Sequence, residues 1–284
     1  MKKSINAWTF PDSYTFKDCL EAAKTAGFDA VEFNLDKDSS VSLHSFKLST
    51  PDRVIGEVAE TAKKLGVAIA SVSSSLHGNI WTRCKAEDIA YAQSVLEKQL
   101  FIARMLGADG ILVVPGGMAD GILLSEAREN SIKNLRAALP IIEKYGIKVG
   151  LENVWNGFFL SPYDMVSFID EIGHPLVGAY FDLGNMVAFS ESAFWADVLA
   201  GKVVKVHVKD FKRNNGRINS GGEFCQLCDG DVNFERVMPI LKRGGFDGYI
   251  TSEVFKGDLD MSDEDYFKLI SKGEDKIIGY YENA

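Results

Sequence analysis

Short apolar runs rich in β-branched residues alternate with longer amphipathic stretches along the whole chain, and this alternation restricts the fold more than any other feature. The apolar runs predict eight strands: Ser4–Ala7, Ala30–Asn34, Val67–Val72, Gly110–Val114, Lys148–Glu152, Val177–Asp182, Val203–Val208 and Tyr249–Glu253. The amphipathic stretches predict a helix after each strand: Phe16–Ala26, Asp52–Leu65, Ala86–Leu106, Ser125–Tyr145, Pro162–Ile172, Ala193–Leu199, Phe234–Lys242 and Ser262–Ile278. Strands that alternate one by one with helices indicate a parallel sheet in the α/β class.

A glycine follows several of the predicted helices, as at Gly27, Gly66, Gly107 and Gly146. Glycine ends a helix in this position because it adopts the left-handed conformation without steric cost. The resulting units of roughly 30–40 residues fit a closed (β/α)₈ barrel better than an open doubly wound sheet. The Gly-x-Gly-x-x-Gly motif of open dinucleotide-binding sheets does not follow the first predicted strand. We therefore predict a single TIM-barrel domain that spans residues 1–284.

Composition narrows the class of protein and its partners. The chain has 31 basic and 40 acidic residues, a formal charge of −9, which argues against a nucleic-acid surface because such surfaces carry a basic patch. Four cysteines in 284 residues do not make a disulfide framework. No apolar stretch approaches the ~20 residues of a membrane span, and the first residues lack the apolar run of a signal peptide. We expect a soluble cytoplasmic protein with no membrane partner.

Four polar residues stand where four successive predicted strands end. They are Glu152, Asp182, His207 and Glu253. Catalytic residues of TIM barrels come from the carboxyl ends of several strands, so these side chains are expected to lie close together. Three carboxylates and one imidazole at neighbouring strand ends predict a site for a divalent metal ion.

Side-chain alternation in the seventh predicted strand supports this prediction. The valines at alternate positions would face the helices, which turns Lys205, His207 and Lys209 into the barrel. Barrel interiors are normally filled with branched apolar side chains, and a buried charge is costly unless it is paired or bound to a metal. Carboxylate ligands favour Mg²⁺ or Mn²⁺, and the imidazole extends the set to Co²⁺ or Zn²⁺.

The chain resembles the xylose-isomerase-like superfamily of TIM barrels, a group of sugar phosphate isomerases and epimerases. The resemblance runs over nearly the whole chain and rests on four segments in the same order and spacing: Glu152-Asn153, Asp182-Leu183-Gly184-Asn185, Val206-His207-Val208-Lys209-Asp210 and Ser252-Glu253. The chain is most similar to the ketose 3-epimerases of the L-ribulose or L-xylulose 5-phosphate type, which share the Asp-x-Gly-Asn phrase. The resemblance implies one divalent metal ion held by Glu152, Asp182, His207 and Glu253.

The resemblance also implies that Glu152 and Glu253 are the catalytic pair, while Asp182 and His207 are metal ligands only. Epimerisation beside a carbonyl requires a proton to leave one face of the carbon and return to the other, which two carboxylates can accomplish. A metal ion would hold the carbonyl oxygen and the adjacent hydroxyl and stabilise the enediolate. We therefore expect a metal-dependent isomerase or epimerase of a small-molecule sugar or sugar phosphate.

Several other residues are candidates for substrate binding. His77 follows the third predicted strand, where the family places a histidine that contacts the substrate. Glu32 closes the second strand and could bind a hydroxyl group or an arginine. Trp8 lies at a strand end and could form a wall of the sugar site, as could the aromatic residues Phe10, Trp155 and Phe158.

A small basic cluster is predicted just after the seventh strand. Lys209 lies one step nearer the mouth than His207, and Lys212 and Arg213 follow it. Such a cluster could hold a phosphate or a carboxylate of the substrate, although a solvated surface run explains Lys212 equally well.

Two positions differ from the epimerases of free ketohexoses. Those enzymes have a histidine three residues after the aspartate ligand, where this chain has Asn185, and a second glutamate six residues after the first, where it has Phe158. We expect Asn185 to contact the substrate. The two differences favour a phosphorylated substrate or an uncharacterised branch of the family.

One segment, Asn214–Asp231, is irregular and rich in Gly, Asn and Ser. It follows the seventh strand on the face where barrel active sites lie, so both a lid or substrate loop and a mobile or dimer-contact loop are consistent with it. Cys225 and Cys228 form a C-x-x-C motif without a second pair, which we interpret as incidental.

Three alternative functions compete with this prediction. A dehydratase of a cyclic sugar or keto acid would use the same metal and a similar base. A nuclease of the endonuclease IV type needs three zinc ions and several histidines, and this chain has four histidines in total. A non-catalytic sugar-binding barrel would not require all four ligands. Barrels of this group often form dimers or tetramers, so the resemblance allows a homo-oligomer.

Overall fold

A computed structural model describes residues 1–118 and 121–284 of the chain. Within these residues, eight parallel strands close into a barrel in the order β1-β11-β8-β7-β6-β5-β4-β2, with β2 pairing back to β1. The barrel strands are β1 Lys2–Asn6, β2 Ala30–Leu35, β4 Ala68–Ser74, β5 Gly110–Val113, β6 Lys148–Glu152, β7 Val177–Asp182, β8 Val203–Val208 and β11 Tyr249–Ser252. Strand β3, Ser45–Phe46, adds to the end of β2. The predicted (β/α)₈ barrel is confirmed.

The helices form the outer layer, and four of them have the predicted bounds at both ends. They are α1 Phe16–Ala26, α2 Asp52–Leu65, α3 Ala86–Leu106, α4 Leu124–Ala137, α5 Leu139–Tyr145, α6 Pro162–Ile172, α7 Ser192–Leu199, α8 Phe234–Arg243 and α9 Asp263–Glu282. The prediction of one helix over Ser125–Tyr145 is wrong, because the structure divides it at Ala138. Pro140 explains the break, since it has no N–H for the carbonyl of Arg136 and its ring crowds the preceding turn. None of the helices in the described part of the chain is long and apolar enough to span a bilayer.

Local sequence signals fix the helix ends. Thr15 and Ser161 begin α1 and α6 with reciprocal capping boxes to Asp18 and Asp164, which satisfy backbone N–H groups that the first helical turn leaves free. Gly27 ends α1 with φ of 88°, as its position in the sequence predicts.

The main apolar core lies between the barrel and the helices, whereas much of the barrel interior is polar. Val206 and Val208 are buried on the helix side of β8, and Lys205 and His207 point inward, as the alternation predicts. Lys205 closes the barrel at its lower end, where its Nζ donates to the carbonyl of Ala70 at 2.6 Å and pairs with the carboxylate of Asp109. The polar interior above Lys205 leads to the carboxyl ends of the strands.

The segment after β8 is more regular than its composition suggests. Strands β9, Asp210–Arg213, and β10, Gly222–Cys225, form an antiparallel hairpin, so the irregular stretch predicted over Asn214–Asp231 covers the turn, the second strand and the return to α8. The carboxylate of Asp210, fully buried, accepts hydrogen bonds from the backbone N–H groups of Phe211, Gly230 and Val232. This buried carboxylate holds the hairpin base and the returning chain together.

Candidate metal centre

The four polar residues at the strand ends converge at one point of the barrel mouth. Each of Glu152, Asp182, His207 and Glu253 offers one ligand atom, and these atoms all lie within 4.8 Å of one another. Glu152 and Asp182 are the last residues of β6 and β7, and His207 is the penultimate residue of β8. Strand β11 ends at Ser252, and the backbone N–H of Glu253 still donates to the carbonyl of Val208 at 3.1 Å. The sheet therefore fixes the backbone of every member of the quartet.

His207 is at the centre of the quartet. Its Nδ1 lies 3.2 Å from Oε1 of Glu152 and 3.2 Å from Oε2 of Glu253. Its Nε2 points away from them and lies 2.6 Å from Oε1 of Glu32. Because Nε2 is engaged by Glu32, Nδ1 is the ring nitrogen that faces the other ligands.

Asp182 presents one oxygen that lacks a hydrogen bond. Its Oδ1 accepts from the backbone N–H groups of Gly184 and Asn185, both at 2.8 Å, which explains the Asp-x-Gly-Asn phrase as a turn that holds the carboxylate. Its Oδ2 is buried and accepts no hydrogen bond of suitable geometry, although Nζ of Lys209 lies 3.1 Å away. A buried oxygen with an unused lone pair is costly in isolation and suits a metal ligand.

Gly184 has a second role in this turn. A Cβ atom at this position would lie 2.5 Å from Cγ of Lys209 and 2.8 Å from its carbonyl oxygen. The third residue of the phrase must therefore be small for β7 and β8 to bring Asp182 and Lys209 together.

Burial and neighbouring charges shift the pKa values of the two glutamates in opposite directions. Burial raises the pKa of Glu152 to about 7, partly offset by its hydrogen bond to His207. Burial also acts to raise the pKa of Glu253, but the charges of Lys209 and His207 outweigh it and lower the pKa to about 2. Burial raises the pKa of Asp182 as well, against the opposing charge of Lys209. A divalent cation among these groups would favour the ionised form of every carboxylate.

Lys209 belongs to the site, but the predicted basic cluster does not form. Its Nζ lies 3.0 Å from Oε2 of Glu253 and 5.5 Å from the ring centre of Phe224. Arg213 is buried elsewhere, where it donates to the carbonyls of Val187 and Ser190 and pairs with Glu191 at 2.9 Å. Lys212 is exposed and reaches only the carbonyl of Asp229. The prediction that Arg213 binds substrate is not supported by this position, because its guanidinium ties the hairpin to the segment after β7.

Two further substrate-binding predictions are not supported by the positions of the side chains. His77 is fully buried, its Nε2 lies 2.7 Å from Oε1 of Gln99, and its Nδ1 accepts from the indole of Trp81 at 3.1 Å. Burial lowers the pKa of His77 to about 4. Glu32 is likewise fully buried below His207 and contacts no arginine. His77 thus contacts α3 and the loop after β4, whereas Glu32 supports His207 from within the barrel.

The remaining candidates lie at the mouth. Nδ2 of Asn185 donates to the carbonyl of Asn153 at 2.9 Å, so this side chain braces the loops after β6 and β7. Trp8 is partly buried, and its indole donates to Asp36 at 3.3 Å on the opposite side of the mouth. The structure does not test whether Asn185 or Trp8 also contacts a substrate, and both stay predictions.

Aromatic residues of the hairpin and of the loop after β11 form a wall that the sequence did not indicate. A cavity of about 290 Å³ lies beside Lys209 and Glu253, and Phe224, Val254 and Phe255 line it. Trp155 packs on Phe224 and extends this wall. By contrast, Phe10 and Phe158 are core residues that pack against other phenylalanines. Phe224 could not be assigned from the sequence, because the segment rich in Gly, Asn and Ser that contains it does not predict a hairpin.

The donor set fits a divalent cation. Three carboxylates and one imidazole nitrogen meet at this point, and one carboxylate oxygen lacks a hydrogen bond. Such a set suits Mn²⁺, Mg²⁺, Co²⁺ or Zn²⁺. Within residues 1–118 and 121–284 this is the one cluster of metal-ligating side chains, and it contains a single histidine, so the three-zinc site of an endonuclease IV-type nuclease is not formed by the described residues.

Comparison with known proteins places this architecture in a family. Residues 20–271 match the model of the xylose isomerase-like TIM barrel family. An uncharacterized protein of Methanocaldococcus jannaschii is 30% identical over 156 residues, which are 52% of this chain and 51% of that protein, so the match spans about half of that relative. The L-ribulose-5-phosphate 3-epimerase of Escherichia coli is 24% identical over 233 residues, which cover 81% of this chain and 78% of the enzyme.

A solved structure supports the same fold. The crystal structure of the IolI protein with a bound zinc atom has a TM-score of 0.83 at 17% identity and covers 99% of each chain. Because the matched family model spans most of the chain and the barrel closes in the same way, this protein belongs to the xylose isomerase-like TIM barrel family.

Proposed function

We propose that this protein is a divalent-metal-dependent epimerase or isomerase of a small ketose or ketose phosphate. The observation that carries the proposal is the convergence of three carboxylates and one imidazole within 4.8 Å at the mouth of the barrel. The E. coli relative, which acts as an L-ribulose-5-phosphate 3-epimerase, supports a five-carbon ketose or its phosphate as the first substrate to test.

The positions of the two glutamates support their role as the proton-transfer pair. Glu152 ends β6 and Glu253 follows β11, and these strands flank β7 and β8, which carry Asp182 and His207. The two carboxylates therefore approach the centre of the site from different sides. One can take the proton beside the carbonyl while the other returns a proton to the opposite face.

The remaining residues would hold and orient the substrate. A divalent cation held by Glu152, Asp182, His207 and Glu253 would supply electrostatic stabilisation of the negative charge that develops on the substrate oxygens. The ammonium group of Lys209 lies beside Glu253 and would bind a substrate oxygen. The aromatic wall formed by Trp155, Phe224 and Phe255 would limit access of water to the reacting carbon.

A substrate screen with metal control tests the proposal. The purified protein is treated with a chelator and then reloaded with Mn²⁺, Mg²⁺, Co²⁺ or Zn²⁺. Each sample is incubated with free ketopentoses, free ketohexoses or their phosphates, and NMR spectra identify the products. We expect one or more epimers or aldose isomers that form only after metal is restored. Turnover that survives complete metal removal would contradict the metal requirement, and an unsaturated dehydration product would instead identify a dehydratase.

A further inference from the structure

The barrel interior below His207 contains an acidic residue that the proposed chemistry does not use. Glu32 lies on β2, on the far side of the barrel from β8, and its side chain crosses the interior to reach the imidazole. It is fully buried, as are its contacts Asn6, Ser71 and Tyr180. A carboxylate in this position needs an explanation, because a buried charge without a function is usually replaced by an apolar side chain at little cost.

Every contact of the Glu32 carboxylate is with a hydrogen-bond donor. Oε1 accepts from Nδ2 of Asn6 at 2.6 Å and lies 2.6 Å from Nε2 of His207. Oε2 accepts from the hydroxyl groups of Ser71 and Tyr180. Four donors on two oxygens fill the acceptor capacity of an ionised carboxylate, so the surroundings hold Glu32 in one position and select its charged form.

We propose that Glu32 is the positioning residue for His207, an inference that rests on the proposed metal site. Its hydrogen bond places the proton of the imidazole on Nε2 and prevents the ring from turning, which leaves Nδ1 directed between Glu152 and Glu253. The ring of Tyr180, 4.5 Å from that of His207, supports the same orientation from the side. A carboxylate that fixes the second nitrogen of a histidine ligand commonly accounts for a 10–100-fold change in metal affinity.

Glutamine at position 32 tests this role. It keeps the length of the side chain, but it loses the negative charge and has one acceptor oxygen for four donors. We expect Glu32→Gln to weaken Mn²⁺ binding at least 10-fold in a calorimetric titration. Tyr180→Phe, which keeps the bond between Glu32 and His207, should stay within about threefold of the unaltered protein because only one donor to Oε2 is lost.

A matched control comes from the end of the same strand. Asp36 is also a buried acid, but its carboxylate contacts Trp8 and Ser75 and does not contact His207. Asp36→Asn is the same change of acid to amide and should leave Mn²⁺ affinity unchanged. Circular dichroism and the midpoint of thermal unfolding verify that each variant is folded.

A second measurement avoids dependence on the folding of Glu32→Gln. Long-range ¹H–¹⁵N NMR spectra of the Zn²⁺-loaded protein report which nitrogen of His207 carries the proton, and we expect Nε2. An Nδ1–H tautomer, or a folded Glu32→Gln variant that binds Mn²⁺ as tightly as the unaltered protein, would overturn the role of Glu32. If the unaltered protein bound neither ion, the proposed function itself would fail, which separates the two outcomes.

Discussion

The ammonium group of Lys209 lies 3.1 Å from Oδ2 of Asp182, a buried oxygen that accepts no hydrogen bond. Lys209 thus balances part of the negative charge at the site, and Asp182 and Glu253 raise its pKa although burial alone would lower it. The same ammonium group is close enough to the cavity to meet a substrate. These two roles lead to opposite expectations for metal binding and for turnover.

Replacing Lys209 with glutamine should separate those roles. Removal of a positive charge beside the ligands cannot weaken the attraction for a cation, so we expect Mn²⁺ affinity to stay the same or increase. Turnover should fall by about 10²–10³-fold because a preorganised cation next to the developing charge is lost. Calorimetric titration and steady-state kinetics measure the two effects. Lys212→Gln is the control, since that exposed side chain reaches only a backbone carbonyl. Full activity with weakened metal binding would contradict the assignment.

Arg213 should contribute to the stability of the folded protein. Its guanidinium makes two hydrogen bonds to backbone carbonyls and an ion pair with Glu191 while largely buried. Arg213→Ala should lower the free energy of unfolding by about 2–4 kcal/mol, because buried acceptors lose a charged donor. Lys212→Ala should change it by less than about 0.5 kcal/mol. Urea denaturation measures both values, and equal effects of the two variants would show that the buried contacts of Arg213 are unimportant.

His77 gives the protein a pH-dependent stability at mildly acidic pH. Its folded-state pKa is about 4, below the ordinary value of 6.5, because burial disfavours the charged ring. The unfolded chain therefore takes up a proton first as the pH falls, and stability should decrease between pH 6.5 and pH 4 by up to about 3 kcal/mol. His77→Gln removes this titration, so the difference between the two proteins in urea denaturation should narrow as the pH falls. Parallel stability curves would argue against this role of burial.

Glu274 should make the folded protein less stable as the pH rises, whereas His77 makes it less stable as the pH falls. This fully buried residue of α9 accepts from the hydroxyl of Ser252 through Oε1, and Oε2 has no partner, so burial raises its pKa well above 4.5. A carboxyl group with a raised folded-state pKa destabilises the fold progressively as the pH rises above its unfolded value. Glu274→Gln should therefore gain stability relative to the unaltered protein as the pH rises above about 5, by up to about 1.4 kcal/mol per pH unit. Denaturation midpoints that keep a constant difference over this range would be inconsistent with a neutral Glu274.

The fold and the grouping of the four polar residues could be predicted from the sequence for the same reason. The period-two alternation in Val203–Val208 distinguishes the valines that face the helices from His207, which must then point into the barrel. Polar residues at the ends of consecutive strands become neighbours in any parallel sheet. Glu152, Asp182 and Glu253 can therefore be grouped with His207 from the sequence alone.

The contacts that cross the barrel could not be predicted in this way. Glu32 meets His207 only because the sheet closes through the pairing of β1 with β2, which lets the Glu32 side chain cross the interior to β8, and no spacing along the chain encodes that distance. Arg213 looked like part of a basic cluster with Lys209. The hairpin sends the two side chains in different directions, and its pairing depends on the buried Asp210 instead of on a strong strand pattern. The break before Pro140 follows from the residue itself, since the proline ring and its missing N–H disfavour a continuous helix through this position.

We propose that Glu152 and Glu253 move a proton at the carbon beside the substrate carbonyl. The most direct measurement is solvent deuterium incorporation at that carbon, followed by ¹H NMR with the substrate identified in the screen and the protein loaded with Mg²⁺. We predict that the unaltered protein introduces deuterium as it turns over, and that Glu152→Gln and Glu253→Gln each reduce incorporation by about 10²–10⁴-fold. Product that forms without deuterium in D₂O, or either variant exchanging at the rate of the unaltered protein, would contradict the account.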